Sequence, residues 1–231
     1  MKALKTLCLG MVAAGMLLTG CNSMTNTGKG ALIGGGSGAA VGAGIGALIG
    51  GGKGAGIGAA IGTAVGAGAG TLIGNRMDKQ KKELEKSLAN ADVETVQDQN
   101  GLAAIKVTFP GGILFPTNGT TLSASAQTEL AQFAASLKQN AETNVQIFGF
   151  TDNTGSLEVN TRVADGRALA VDRFLVDSGI SPTRLTYQGI PMADYVASND
   201  TPAGRAQNRR VEIYITANQQ MIQQAENGTL K

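Results

Sequence analysis

Histidine is missing from all 231 positions. Without it, neither a Ser-His-Asp or Cys-His nucleophilic site nor a His-ligated metal centre can be assembled. Tryptophan is also absent and aromatic residues make up only 4% of the chain, which argues against one large aromatic-rich core. Both cysteines, Cys8 and Cys21, lie in the first 21 residues, so the body of the chain has no disulfide framework. There are five prolines and no Gly-X-Y period, which excludes collagen despite 34 glycines. Net charge is only +2, and Lys2 and Lys5 supply both charges. The remaining Lys/Arg and Asp/Glu balance, which argues against bulk nucleic-acid binding.

What is present is unevenly placed. Nineteen of the 34 glycines lie between Gly30 and Gly74, and the rest of the chain has an ordinary share. The chain is therefore a composite of a glycine-saturated segment and a globular one. Ahead of both, residues 1–20 read as an export signal. Lys2 and Lys5 form its basic start, and the apolar run from Leu7 to Leu18 is too short to span a bilayer comfortably. The signal ends Leu18-Thr19-Gly20-Cys21, which resembles the lipobox of bacterial lipoproteins. That resemblance implies acylation of Cys21 with three acyl chains; Cys21 becomes the mature N-terminus, and residues 21–29 are the lipidated N-terminal segment. Each buried methylene contributes about 0.8 kcal/mol, so two or more chains hold stably. Asn22 stands where an Asp would retain an enteric lipoprotein at the inner membrane, which points to the outer membrane.

From Gly30 to Gly74 glycine recurs at every fourth position without a break, with mostly Ala, Ile, Leu and Val between. On a helix this spacing makes a slowly drifting stripe that lets another backbone approach closely. A flexible Gly-rich linker is the alternative, but linkers are polar and keep no strict period. Gly50-Gly51-Gly52-Lys53-Gly54 breaks the segment into two apolar halves, so residues 30–74 read as a glycine-zipper helical hairpin that meets lipid or self-associates. Residues 75–92 follow as a charged spacer helix. Its opposite charges are paired four apart (Asp78 with Lys82, Lys79 with Glu83, Lys81 with Glu85), and its apolar stripe of Met77, Leu84 and Leu88 is sparse.

Residues 93–217 read as the globular domain, and 218–231 as a loose polar tail. Strands are predicted at Ile105 to Phe109, Val145 to Phe150, Arg184 to Gln188 and Arg210 to Thr216, and helices at Ser125 to Asn140 and Val159 to Ser178. The class is α+β, a βαβαββ sheet with helices on one face. Within it, Gly149-Phe-Thr-Asp-Asn-Thr-Gly155, Asn160, Arg167-Ala168, Asn199-Asp-Thr-Pro-Ala-Gly-Arg205 and Gln207-Asn-Arg-Arg-Val-Glu-Ile213 occur in order. This set resembles the OmpA-like peptidoglycan-binding domain. With the lipobox and glycine repeat, the chain resembles an OmpA-family lipoprotein. Two positions depart from the family pattern: Phe150 stands where members often have His or Tyr, and Val163-Ala164 where Leu-Ser is usual.

The resemblance implies a ligand, the diaminopimelate of the wall peptide, whose end carries an ammonium beside a carboxylate. It assigns Asp152 to the ammonium and Arg167 to the carboxylate, a role that suits the planar guanidinium fork. Asn160 lies two helical turns before Arg167, near a helix N-terminus that can meet a carboxylate. Asn118 matches a family position lining the same pocket. Arg209 and Arg210 enter the last strand, where alternation puts one on each face; Arg210 is carried as the candidate. The implied function is a non-enzymatic tether between outer membrane and peptidoglycan, with lipid at Cys21, no metal, no cofactor and the domain in the periplasm. The alternative is a membrane-inserted, oligomeric, pore-forming glycine zipper anchored by the wall domain. A wall hydrolase lacks a suitable acid pair, and a proton-carrying stator lacks an ionisable residue in 31–50.

Overall fold

The computed structural model describes residues 65–98, 100–116 and 119–230. The export signal, Cys21, the glycine repeat up to residue 64 and Asn118 lie outside the described residues. The first described helix, α1 (Ala67–Ser87), crosses the expected boundary between glycine segment and spacer without a break. Ala69, Ile73, Met77 and Leu84 recur at helical spacing along one side and, with Leu88 at the C-cap, are buried in the main core. The stripe that reads as sparse in a charged sequence is therefore sufficient to seat the helix, because four or five large side chains on one face bury a continuous seam. Gly66, Gly70 and Gly74 meet no neighbour at the position of an added Cβ, so these last zipper glycines are not used for close packing against the domain.

The elements that follow are β1 (Asp92–Gln97), β2 (Ala103–Pro110), a short α2 (Gly111–Leu114), α3 (Ala124–Gln139), β3 (Thr143–Phe150), α4 (Leu157–Asp177), a 3-10 turn (Pro182–Arg184), β4 (Leu185–Ile190), α5 (Pro202–Asn208), β5 (Arg210–Ala217) and α6 (Gln219–Glu226). Side-chain oxygens of Ser123, Ser156 and Thr201 cap the first turns of α3, α4 and α5. The α+β reading holds, with one five-stranded sheet in the order β1-β2-β5-β3-β4 among the described residues. Ile105, Val107 and Phe109 of β2, Val145 and Ile147 of β3, and Val211, Ile213 and Ile215 of β5 share one face. They join residues of α1, α3, α4 and α6 in a single apolar core.

Besides the short helices α2 and α5, which the sequence reading lacks, and a spacer helix that ends at Ser87 rather than residue 92, two further elements differ from the sequence reading. β1 has one fully apolar buried side chain, Val93, and pairs antiparallel with β2 at the sheet edge, where Lys106 pairs with Glu94 at 2.6 Å. The C-terminal stretch is not loose: Asn218 caps α6, and Met221, Ile222 and Ala225 are buried. Three apolar residues on one side of a glutamine-rich octamer are enough once α1 provides the facing surface.

Because α1 is part of the core, Leu84→Ala, at a side chain with no exposure, is expected to lower unfolding free energy by about 2–4 kcal/mol. Urea denaturation measures it. A value near zero would mean that α1 stands free of the domain.

Candidate functional site

β2 and β3 both run antiparallel to β5, which lies between them, and β3 runs parallel to β4. The C-terminal ends of β2, β3 and β4 and the start of β5 therefore converge at one pole, together with α2 and the N-terminus of α4. Open α/β-type sheets commonly place ligand sites at such a pole.

Glycines set how close α4 comes to the sheet. Gly149 of β3 and Gly189 of β4 are paired across the parallel ladder. A Cβ on Gly149 would stand 2.4 Å from the Ala164 carbonyl oxygen, and one on Gly189 would stand 2.4 Å from the Asp165 nitrogen. Both contacts are backbone, so the helix can sit this close only over glycine. Ala164 and Ala168 are fully buried in the contact. Arg167, between them on the helix, is thereby delivered to the end of the strands.

Asp152 follows β3 directly and is 6% exposed. One carboxylate oxygen accepts the Thr154 N–H at 2.8 Å, and the other is paired with Arg209 Nη1 at 2.5 Å. Arg167 is 4% exposed; its Nε–H donates to the Gly119 carbonyl at 3.1 Å, and its guanidinium lies 5.3 Å from the centre of the Phe115 ring. Gly166 faces Thr120 closely, which seats the loop at residues 119–123 against α4. Asn160 does a different job. Its Nδ2 donates to the carbonyls of Thr154 at 2.9 Å and Ser156 at 3.1 Å, so it ties the 151–156 turn to the first turn of α4. Gly155, at φ +93, takes the left-handed conformation this turn needs.

The structure brings Arg209 and not Arg210 to Asp152. Alternation along β5 carries Arg210 to the opposite face of the sheet. There it is not solvated: its guanidinium lies 3.9 Å from the centre of the Phe150 ring, its Nε donates to Glu212 at 2.6 Å, and it donates to the Asp194 carbonyl at 2.9 Å. Tyr214 donates to the other Glu212 oxygen at 2.8 Å. The Phe150 departure from the family pattern thus supplies a stacking surface for a buried arginine. Arg210 is corrected from candidate ligand contact to a member of this internal network.

The motif from Asn199 to Arg205 holds Arg209 in place. Asn208, fully buried, accepts the N–H groups of Val196 and Ala197 and donates to the Ala197 carbonyl and the Asn199 side chain. Gly204 lies where a Cβ would be 1.9 Å from the Ser198 carbonyl oxygen. Arg205 donates to the Asn199 carbonyl at 2.7 Å. The Arg209 carbonyl, in turn, accepts the Gly111 N–H at 2.7 Å, which ties it to α2.

Three charges result, two positive and one negative. Burial alone would raise the Asp152 pKa, but the Thr154 N–H and the Arg209 guanidinium outweigh it and hold the carboxyl below its usual range. Burial lowers the Arg167 pKa, Arg209 adds to that by repulsion, and Asp152 opposes both. A lowered carboxyl pKa stabilises the fold above the unfolded value near ~3.9, and that contribution disappears as pH falls through the lowered folded value. The stability gap between wild type and Asp152→Asn is therefore expected to stay constant from pH 7 to about pH 4 and to close below it. Thermal unfolding at stepped pH measures this; a gap already closing at pH 6 would contradict the assignment. Among the described residues no His, Cys, Asp and Glu cluster is suited to a metal ion.

Residues 114–209 match the model of the OmpA family, and residues 1–78 match that of the YMGG-like Gly-zipper. The chain is 34% identical over 143 residues to probable lipoprotein YiaD of Escherichia coli K12, covering 62% of this chain and 64% of that one. It is 37% identical over 113 residues to the peptidoglycan-binding protein ArfA of Mycobacterium bovis, covering 49% and 35% respectively. It thus spans less than two thirds of the length of each relative. A solved structure, the cell wall anchor of the T6SS from Pseudomonas aeruginosa, superposes with a TM-score of 0.52 at 26% identity, over 62% of this chain and 98% of that one.

Proposed function

We propose, from the match of residues 114–209 to the OmpA family and of residues 1–78 to the YMGG-like Gly-zipper, that the chain is an envelope tether that binds peptidoglycan non-covalently and catalyses nothing. The observation that carries this is the pairing of Asp152 with Arg209 at the pole where β3 ends and α4 begins, with the buried Arg167 guanidinium near enough to feel both charges. An ammonium beside a carboxylate, as at the end of diaminopimelate, meets a carboxylate and a guanidinium there. Asp152 takes the ammonium and Arg167 the carboxylate. The Phe115 ring and the Gly119 carbonyl hold the Arg167 plane, so little side-chain freedom is lost on binding. Asn160 acts by holding the turn that carries Asp152. Arg209, 40% exposed at its side chain, is the most open of the three charged groups.

The names of the relatives support this reading: one is a lipoprotein, one binds peptidoglycan, and the solved structure is a cell wall anchor. At the other end of the chain, lipid on Cys21 holds the outer membrane and the domain lies in the periplasm. With two attachments on one chain, the second forms at high effective concentration, so a modest domain affinity suffices. The glycine stripe adds a route to self-association.

The test is competition. Full chain bound to diaminopimelate-type sacculi should be released by free meso-diaminopimelate and not by cadaverine, which has the ammonium groups and no carboxylate. Equal release by both, or by neither, would rule out recognition of the zwitterionic end.

A further inference from the structure

We infer that Arg209 binds a second carboxylate of the ligand, so that the site selects a wall peptide bearing a free carboxylate in addition to its zwitterionic end. The inference rests on the wall-binding reading above and adds to it. The reason is a charge count at a nearly closed site. Asp152 and Arg167 are both over nine-tenths buried, and the groups that act electrostatically on Arg167 are Arg209 and Asp152. Arg209 is paired with Asp152, and the Arg167 guanidinium feels both charges, so two positive groups stand near one carboxylate. A zwitterionic end brings no net charge, so it leaves the site with one positive charge more than it can neutralise. That excess sits on the most open member, Arg209, whose Nη1 alone is engaged with Asp152 among the described residues.

Arg209 is also prepared for such a role. Its backbone N–H donates to the Arg205 carbonyl within α5 and its carbonyl accepts from Gly111, so both sides of its peptide are fixed. When a ligand ammonium approaches Asp152, it competes with Arg209 for the same carboxylate. The guanidinium that is displaced is then available to an anion on the ligand, and its planar fork accepts a carboxylate with two parallel hydrogen bonds. In the peptide of a diaminopimelate-type wall, the glutamate joined through its side chain to diaminopimelate presents a free α-carboxylate next to the zwitterionic residue. Amidation of that group removes the charge and leaves the size nearly unchanged.

The test uses two soluble tripeptides of sequence L-Ala-γ-D-Glu-meso-diaminopimelate, both with the main-chain carboxylate of diaminopimelate blocked as the amide, one a free acid at the glutamate α-carboxylate and one amidated there, titrated calorimetrically into the full chain in detergent. The wild type should bind the free acid about tenfold more tightly. Arg209→Gln should bring the two affinities together, and Arg209→Lys should keep part of the preference. Equal wild-type affinities, with sacculus binding intact, would overturn the second-carboxylate inference and leave the wall-binding reading standing. Failure of both peptides and of sacculi would overturn both. The wild-type comparison needs no variant, so it decides the matter even where Arg209→Gln fails to fold.

Discussion

Gly149→Ala is expected to lower unfolding free energy by about 3 kcal/mol, which for a domain of this size is a fall of roughly 10 °C in Tm, and to weaken wall binding with it. The added methyl would stand 2.4 Å from the Ala164 carbonyl oxygen, and neither partner can rotate away because both are backbone. Helix α4 would have to lift from β3, and the strain passes to Ala168 and Gly189, which share the contact. Arg167 rides on the same turn of helix, so displacement also moves the guanidinium from Phe115 and Gly119. Gly112→Ala is the control: it lies in a short helix with no neighbour near an added Cβ, and should be neutral. Circular dichroism melts compare the two. A Gly149→Ala melt within a degree or two of wild type would contradict the close approach of helix and strand.

Asp152→Ala should weaken binding of diaminopimelate peptide about a hundredfold or more, since it removes the acceptor of the ligand ammonium and leaves two guanidinium groups without a carboxylate between them. The cost to stability is smaller. Breaking a fully buried ion pair costs about 3–5 kcal/mol, but water reaches the Arg209 side chain, which is 40% exposed, so about 1–3 kcal/mol is expected. The two effects separate in a double variant. Asp152→Ala with Arg209→Gln relieves the repulsion on Arg167 and should recover most of the lost stability while binding stays lost. Recovery of binding in the double variant would show that Asp152 serves only to neutralise Arg209 and does not meet the ligand.

The parts of the fold legible in the sequence were those with strong local signals. Ile105, Val107 and Phe109 alternate as a strand, and the apolar positions Leu130, Phe133, Ala134 and Leu137 keep helical period; each lies where expected, within two or three residues. β1 was hidden because an edge strand with a solvated face needs few apolar residues, and Asp92 to Gln97 has two. α6 was hidden for a related reason: its three buried residues form a stripe only when a partner helix is already there. The docking of α1 is a tertiary fact, since local charge pairs describe its outer side and say nothing of the inner one.

At the site, Asp152 and Arg167 come from the resemblance to the OmpA-like domain; the structure buries both at one pole, where each feels the other's charge. The choice between Arg209 and Arg210 was not available from alternation alone. Alternation separates the two residues onto opposite faces but does not say which face meets the turn. The register of β5 against β3, Val211 opposite Gly149, decides it. The signal that could have found Arg209 is the motif before it, where Asn208 and Gly204 fix a loop whose outlet is that residue.

Co-sedimentation of the full chain with purified diaminopimelate-type sacculi, run beside Asp152→Asn and Arg167→Gln, tests the central claim most directly. Wild type should pellet with the sacculi while both variants, folded by circular dichroism, remain in the supernatant. Variants that pellet as fully as wild type would place wall attachment elsewhere on the chain and contradict the charge pair at the end of β3.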